Sequence, residues 1–321
     1  MQKENSDMEK TGAVIVAAGH KNRGTAFLPM LPVGDSTVIR RIIITMKRVG
    51  VDPIVVVTGK QGDELEKHIS DLEVISLRNP DYETEQMFDS ISMGLRYIRG
   101  LCTQTLLLPA KFPLLLRDTL EKMLSEKGDI IRPVFDGKRG HPVLISEHAA
   151  GKVLEYTGDW GLRGALFEAE QCFVTKEVPV EDQGIIFAVE TDEDSTEREM
   201  EKQKIQVHPE VRLVIRRNDP FFEPLLARFL IVVRHTGSMQ TACRQLHISY
   251  TKGWKLLKEA EHQLGYGLLV SRSGGAEGGS SRLTEKGEDF LRRYLCMEEE
   301  LRKESERLFK RYFPEENEVS K

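Results

Sequence analysis

Short apolar runs alternate with helical patterns over the first 190 residues. Residues 13–18 read Ala-Val-Ile-Val-Ala-Ala and end at Gly19. An apolar run without polar alternation predicts a strand buried on both faces and feeding a loop. Residues 54–57, 105–108, 130–134 and 185–189 repeat that pattern. Between them, residues 38–49 and 87–98 carry apolar positions at helical spacing. Such alternation predicts a three-layer, Rossmann-like α/β domain, with a mostly parallel sheet and helices on both faces. Ligands in that architecture sit beyond the carboxyl ends of the strands, so the loops there are the place to seek chemistry.

The pattern changes after residue 206. Residues 211–217 alternate like an exposed-edge strand, and Asn218-Asp-Pro220 reads as a turn and helix start. Residues 221–235 carry Phe222, Leu225, Leu226, Phe229, Leu230 and Val233 at helical spacing until Thr236-Gly237 breaks the run. Ser238 is placed to cap a second helix reaching 244–246. Ser249, after the turn His247-Ile248, is placed to cap a third reaching about residue 264. Trp254, Leu256, Leu257, Ala260 and Leu264 would form the inner face of this third helix. Ser249, Tyr250, Thr251, Lys252 and Lys255 would face outward. Residues 268–272 and 281–284 predict two short strands around Gly274, Gly275, Gly278 and Gly279, with Arg272 and Arg282 flanking the tip. Residues 283–313 predict a long helix. Its stripe of Phe290, Tyr294, Met297, Leu301 and Leu308 can pair with a second copy or pack back on its own domain.

Helix, turn, helix and wing in that order push one helix into a DNA major groove. Small polar and basic residues at the start of the third helix suit base edges and phosphates. The alternative is an ordinary loop with two solvated arginines, or a wing turned to docking protein. Winged readers address two half-sites, which favours the long helix as a dimerisation element.

A length of 321 residues fits two domains. The expected division is a polar tail over 1–11, a first domain over 12–206 and a second over 207–321, with the charged run 192–204 as connector. The net charge of −5 is uneven. From Val211 onward there are 20 Lys and Arg against 16 Asp and Glu, leaving +4 there and −9 in the remainder. A mildly basic second half suits a DNA reader, whereas the first half would repel a phosphate backbone. Cys102, Cys172, Cys243 and Cys296 are scattered without a CxxC, so neither a zinc site nor a disulfide framework is expected. No apolar run approaches the ~18 residues that span a bilayer, and the polar start lacks the core of a secretory signal. The expectation is a reduced, cytoplasmic protein with no membrane partner.

The second half resembles the winged helix domain of the molybdate-responsive ModE regulators, themselves related to LysR-type readers. Thr236-Gly-Ser238, Ile248-Ser-Tyr-Thr-Lys-Gly-Trp254, Lys258-Glu-Ala-Glu261, Leu264-Gly265, the run from Ser273 to Gly279, and Leu283-Thr284 with Gly287 carry the likeness. In that family a molybdate-binding module would follow, and oxyanion sensing by such a module is not expected here.

Residues 12–196 resemble MobA-like nucleotidyltransferases, especially the molybdenum cofactor cytidylyltransferase branch. The carrying residues are Ala17-Ala-Gly-His-Lys-Asn-Arg-Gly24, Leu28-Pro-Met-Leu-Pro-Val-Gly34, Asn79-Pro-Asp-Tyr82, Met87-Phe-Asp-Ser90 with Gly94-Leu95, Arg139-Gly-His-Pro-Val143 and Gly158-Asp-Trp-Gly-Leu-Arg163. A glycine turn after the first strand lets backbone N–H groups approach a phosphate, and Arg23 can clamp it. The resemblance implies a pocket drawn from Ala18, Gly19, Arg23, Ser90, Lys111, His141, Asp159 and Arg163, facing CTP, GTP or a molybdopterin.

The departures bear on activity. The family holds magnesium with two Asp residues. Here Pro109-Ala-Lys-Phe-Pro113 puts Lys111 in the first position, and Ala188-Val-Glu-Thr-Asp192 puts Ala188 in the second. The usual lysine of the first loop is replaced by Leu28. Magnesium neutralises the triphosphate and the departing pyrophosphate, and losing even ~4 kcal/mol is about a thousandfold in rate. Three readings stay open. In the first, the pocket binds a nucleotide or pterin phosphate with Lys111 in place of the metal. Alternatively, Lys111 pairs with a carboxylate in an empty scaffold. Or the register is shifted, and Glu190 or Asp192 still holds a metal. The expectation is a DNA-binding regulator of molybdenum or molybdopterin metabolism whose degenerate transferase domain senses a nucleotide or cofactor. The alternative is an active, Mg²⁺-dependent cytidylyl- or guanylyltransferase with a fused reader.

Overall fold

The computed structural model describes residues 10–19, 27–189, 207–272 and 280–314, the side chains of residues 271 and 272 excepted. It divides into two compact units, residues 1–204 and 205–321. The expected connector over 192–204 and the glycine-rich tip lie outside the described residues.

The first unit is built on strands β1 (Thr11–Ala17), β4 (Ile54–Thr58), β5 (Ile75–Arg78), β6 (Gln104–Pro109), β7 (Ile130–Phe135), β8 (Lys138–Arg139), β9 (Val143–Ser146) and β10 (Thr175–Pro179). A two-residue pair, β2 (Pro32–Val33) and β3 (Ser36–Thr37), stands apart from that sheet. The order is β10-β7-β9-β6-β1-β4-β5, with β8 paired to β7. β9 runs antiparallel to both its neighbours, and the other strands on that path are parallel. The mostly parallel sheet expected from the apolar runs is present.

Helices are α1 (Val38–Arg48), α2 (Gly62–His68), α3 (Met87–Ile98), α4 (Arg117–Ser125), α5 (Glu147–Glu155) and α6 (Gly161–Glu170). α1 packs with α4, while α3 packs with α5 and α6. Ala13, Ile15 and Ala17 of β1 share the core that also takes Ile39 and Ile42 of α1 and Leu120 and Met123 of α4. A Cβ on Gly94 of α3 would stand 2.4 Å from Cγ1 of Val14, so β1 is covered closely on its other face too.

One expected strand is not formed. Residues 185–189 carry the apolar run, but the chain there makes a 3₁₀ turn over Gln183–Ile185 and continues without strand pairing. The edge of β7 is already occupied by β10. The segment instead crosses the carboxyl edge of the sheet, donating Val189 N to Lys111 O at 2.9 Å and accepting His141 N on Ile185 O at 2.8 Å.

The second unit begins with β11 (Ile215–Arg216) and β12 (Pro220–Phe222), followed by helices α7 (Pro224–Thr236), α8 (Met239–Gln245) and α9 (Tyr250–Leu264). A hairpin of β13 (Leu269–Arg272) and β14 (Ser280–Leu283) then leads into α10 (Glu285–Tyr312). The edge strand expected over 211–217 is confined to two residues. The helix expected from residue 221 starts at Pro224, because residues 220–222 pair with β11 and Pro224 suits a first helical position. Ser238 and Ser249 cap α8 and α9 as expected, each Oγ accepting from the N–H three residues on, at 3.2 and 3.1 Å. Trp254 is not in the core: it is 45% exposed, and Gly253, Leu257 and Ala260 form the buried face of α9. A Cβ on Gly253 would lie 2.7 Å from Cys243 Sγ and 3.2 Å from Phe229 Cε2, so α9 meets α7 and α8 too closely there for a side chain. In α10, Phe290 and Tyr294 pack on Phe222, and the Tyr294 hydroxyl donates to Leu213 O at 2.6 Å. The first part of the expected pairing stripe is thus used within its own unit, while Met297 is 50% exposed.

Gly184 gives a test of the edge-crossing turn. A Cβ there would fall 2.0 Å from Leu114 O, a backbone atom. Gly184→Ala is expected to cost at least ~1–3 kcal/mol, the usual range for overpacking, read as a lower urea midpoint of the full chain.

Candidate functional site

Two surfaces are built by these elements, one in each unit. In the first, β1 and β6 are parallel neighbours, and the chain leaves both at the carboxyl edge. Ala110 N donates to Val16 O at 2.8 Å, which keeps the exits side by side. Ala18 is buried, and its carbonyl accepts Lys60 N at 2.9 Å. Gly19 follows with φ +76°, and a Cβ there would meet Phe27 and Lys60 at 3.0 Å. Both the dihedral and the crowding demand glycine at this turn. Arg23, expected to clamp a phosphate, lies outside the described residues, as do Glu190 and Asp192.

Lys111 leaves β6 at the same edge. The bond from Val189 N to Lys111 O sets Ala188 beside it, so the two positions where the resemblance implies aspartates are brought together. Lys111 and Ala188 supply no oxygen ligand, and among the described residues no group of three His, Cys, Asp or Glu could hold a metal.

His141 enters β9 from the same edge. Its ring stacks at a tilt on Phe112, with centroids 4.6 Å apart, and Lys111 Nζ lies 5.6 Å from the centre of that phenyl ring. Burial, with smaller contributions from the charges of Lys111 and Arg132, depresses His141 to about 4, so the imidazole is neutral at pH 7. Its Nδ1 is buried with no hydrogen-bond partner among the described residues. Arg132 is held in place by Glu170 at 2.7 Å, and its own value is lowered chiefly by burial. The edge thus sets the unsatisfied His141 Nδ1 near Lys111 and the Glu170-paired Arg132, and a ligand bearing a hydrogen-bonding group could satisfy that nitrogen.

Beneath this edge, buried Asp182 accepts from Leu116 N at 2.9 Å, Thr119 Oγ1 at 2.7 Å and Gly184 N at 2.8 Å. Burial raises its value against those three donors. It ties the loop after β6 to the turn that crosses the edge. Neither Asp182 nor Phe112 was singled out by the sequence. A lone carboxylate in Val180-Glu-Asp182 and a ring in a Pro-rich turn carry no spacing signal.

Helices α3 and α6 and the turn before α6 carry the other expected residues. Ser90 is buried in α3, its Oγ 3.0 Å from Asn79 Nδ2, and Asn79 in turn reaches Glu85 at 3.0 Å. That arrangement pins the loop after β5 to α3. Asp159 is exposed before α6 and Arg163 is exposed in its first turn, where Gly161 approaches Phe88 of α3.

In the second unit, Ser249, Tyr250, Thr251, Lys252 and Lys255 are all exposed at the start of α9. Arg282 is exposed on β14, opposite Val270 of β13. Arg272 ends β13, paired with Ser280. Ser281 N donates to Gly237 O at 2.7 Å, joining the hairpin to the turn between α7 and α8.

Residues 13–172 match the family described as MobA-like NTP transferase domain, and residues 226–288 match the bacterial regulatory helix-turn-helix protein, lysR family. The chain joins a MobA-like NTP transferase domain to a lysR-family helix-turn-helix domain. The transferase domain has the fold of a nucleotidyl transferase from Methanothermobacter thermautotroptrophicus (21% identity, 58% of this chain and 94% of that one, TM-score 0.50). It also has the fold of Rv0371c from Mycobacterium tuberculosis H37Rv (19% identity, 60% and 98%, TM-score 0.51). Among curated proteins none matches the sequence. Fusion of the two domains supports a DNA-binding regulator. Among the described residues, no helix is long and apolar enough to cross a membrane.

The depressed His141 has a measurable consequence. A histidine held below its ordinary 6.5 stays neutral in the folded chain and charges first when unfolded. Its stabilising contribution is full above that value and is lost as pH falls toward about 4. Between pH 7 and pH 5 the wild type should lose about 2 kcal/mol more stability than His141→Gln, measured by urea unfolding.

Proposed function

We propose that the chain is a transcriptional regulator of molybdenum or molybdopterin metabolism whose transferase domain senses a nucleotide or pterin phosphate without a catalytic metal. The observation that carries this reading is the juxtaposition of Lys111 and Ala188 at the carboxyl edge, with the neutral, unsatisfied His141 behind them. A lysine there repels a divalent cation and attracts a phosphate. The His141 ring offers a hydrogen bond to a ligand group. The molybdenum assignment rests on the resemblance of both halves to proteins of that metabolism. The site residues of the resemblance, with Arg23, Asp159 and Arg163 as further ligand contacts, belong to this proposal, as does pairing of two copies through α10.

The helix-turn-helix domain supplies the output. Thr251, Lys252 and Lys255 would enter the groove, and Arg272 and Arg282 would follow the phosphate backbone. Ligand binding alters DNA affinity only if the ligand prefers one of the two states, so coupling must be visible from either side.

Calorimetric titration of the full chain with CTP or GTP in EDTA should show binding that Mg²⁺ does not strengthen. Lys111→Ala should weaken it about tenfold, the loss of ~1.4 kcal/mol from one charge-assisted contact. Robust pyrophosphate release from CTP or GTP with Mg²⁺ and molybdopterin would establish the transferase instead. On DNA, Lys252→Ala and Lys255→Ala should each lower the slope of log affinity against log salt by about 1. Unchanged affinity and slope in both would remove α9 as the reading element.

A further inference from the structure

Trp254 is the residue whose position departs most from its sequence pattern. It lies on the third helix, one turn after Tyr250, and both rings are exposed, at 45% and 52%. The indole is not loose. Lys258 Nζ sits 4.7 Å from the centre of its ring, and Glu261 Oε2 holds that ammonium at 2.6 Å. The other oxygen of Glu261 accepts Leu268 N at 2.8 Å and Leu269 N at 3.2 Å, at the entry to β13. Glu261 is itself 11% exposed, so the chain of contacts from hairpin to indole has a buried anchor. Lys258 is neutralised by this pairing and is poorly placed to act as a simple phosphate contact.

An exposed, pre-oriented indole beside Thr251 and Lys255 has a specific use in a major groove. Base pairs there differ in hydrogen-bonding groups and in the thymine 5-methyl, the apolar feature of the groove floor. One side of the ring is taken by Lys258, and the residue as a whole stays 45% exposed. We propose that Trp254 reads a thymine methyl group and thereby sets the base preference of the DNA-reading surface, with Lys258 and Glu261 as positioning residues. This rests on the DNA-reading function of the helix-turn-helix domain and adds to it a base-level determinant.

The test uses double-stranded DNA selected by the full chain from a random-sequence pool, followed by replacement of each thymine with uracil. Uracil keeps the base pairing and lacks only the methyl. In the wild type, one thymine per half-site should be sensitive, its replacement weakening binding about fourfold, the value of one buried methyl. Trp254→Ala should bind with an unchanged salt slope and show no effect of uracil at that thymine. Trp254→Phe, which preserves an aromatic face, should retain part of it. Lys258→Ala should reduce the uracil effect, and Lys258→Arg should keep it. Trp254→Ala with the full uracil sensitivity of the wild type overturns the proposal while leaving DNA reading intact. The same holds if both Trp254 variants bind the selected DNA as the wild type does and instead change the oligomeric state, which would make the ring an interface between copies. Failure of the wild type to enrich any sequence overturns the DNA-reading function and the proposal together.

Discussion

Two backbone hydrogen bonds govern the transferase edge: His141 N to Ile185 O and Val189 N to Lys111 O. They lay residues 185–189 across the ends of β6 and β9 and so define which side chains meet. Both use main-chain atoms, whose burial without partners would be costly. The side chains at 111, 141 and 188 are therefore free to differ in chemistry without moving the scaffold. A lysine and an alanine can stand where the resemblance implies aspartates, and the edge keeps its form. Fold and metal chemistry are separable here because the first depends on backbone pairing and the second on side chains alone.

Electrostatics at that edge follows from burial. His141 is kept neutral mainly by desolvation, helped by two cations, Lys111 and Arg132. A protonated imidazole would add a third positive charge to a poorly solvated space. Neutrality preserves a ring that can donate from one nitrogen and accept on the other. Asp182 bears the opposite strain: burial opposes its ionisation, yet three donors converge on its carboxylate. A carboxylate so fully occupied by main-chain and hydroxyl donors is a structural tie.

Periodicity carried much of the architecture. The helix at 87–98 and the caps at Ser238 and Ser249 were legible because apolar spacing and a capping hydroxyl are local properties. β9 was not legible as an antiparallel strand, nor β10 as a strand at all. Thr175-Lys-Glu-Val-Pro179 is too polar to look like a member of a buried sheet. Residues 185–189 misled in the opposite direction, since a short apolar run is buried equally well as a strand or as irregular chain over a sheet edge. Trp254 misled because hydrophobicity was counted and space was not. Gly253, the residue with no side chain, is the one the packing of Cys243 and Phe229 admits. In the candidate site, Lys111 and Ala188 were legible only through a motif. Their adjacency, and the placement of Ser90 against Asn79, needed the long-range register of the chain.

The bond between Ser281 N and Gly237 O reaches beyond local stability. Together with Glu261 gripping the start of β13, it ties both strands of the hairpin to the helical core. The described strands of the hairpin are thus hydrogen-bonded to the helices of the reader. A signal arriving at a reader so tied would tilt it, shift it or change how many copies engage rather than reshape it. Under the proposed function, control would then work through the geometry between two paired readers, and the spacing of half-sites on the duplex would be as much a part of the switch as the protein.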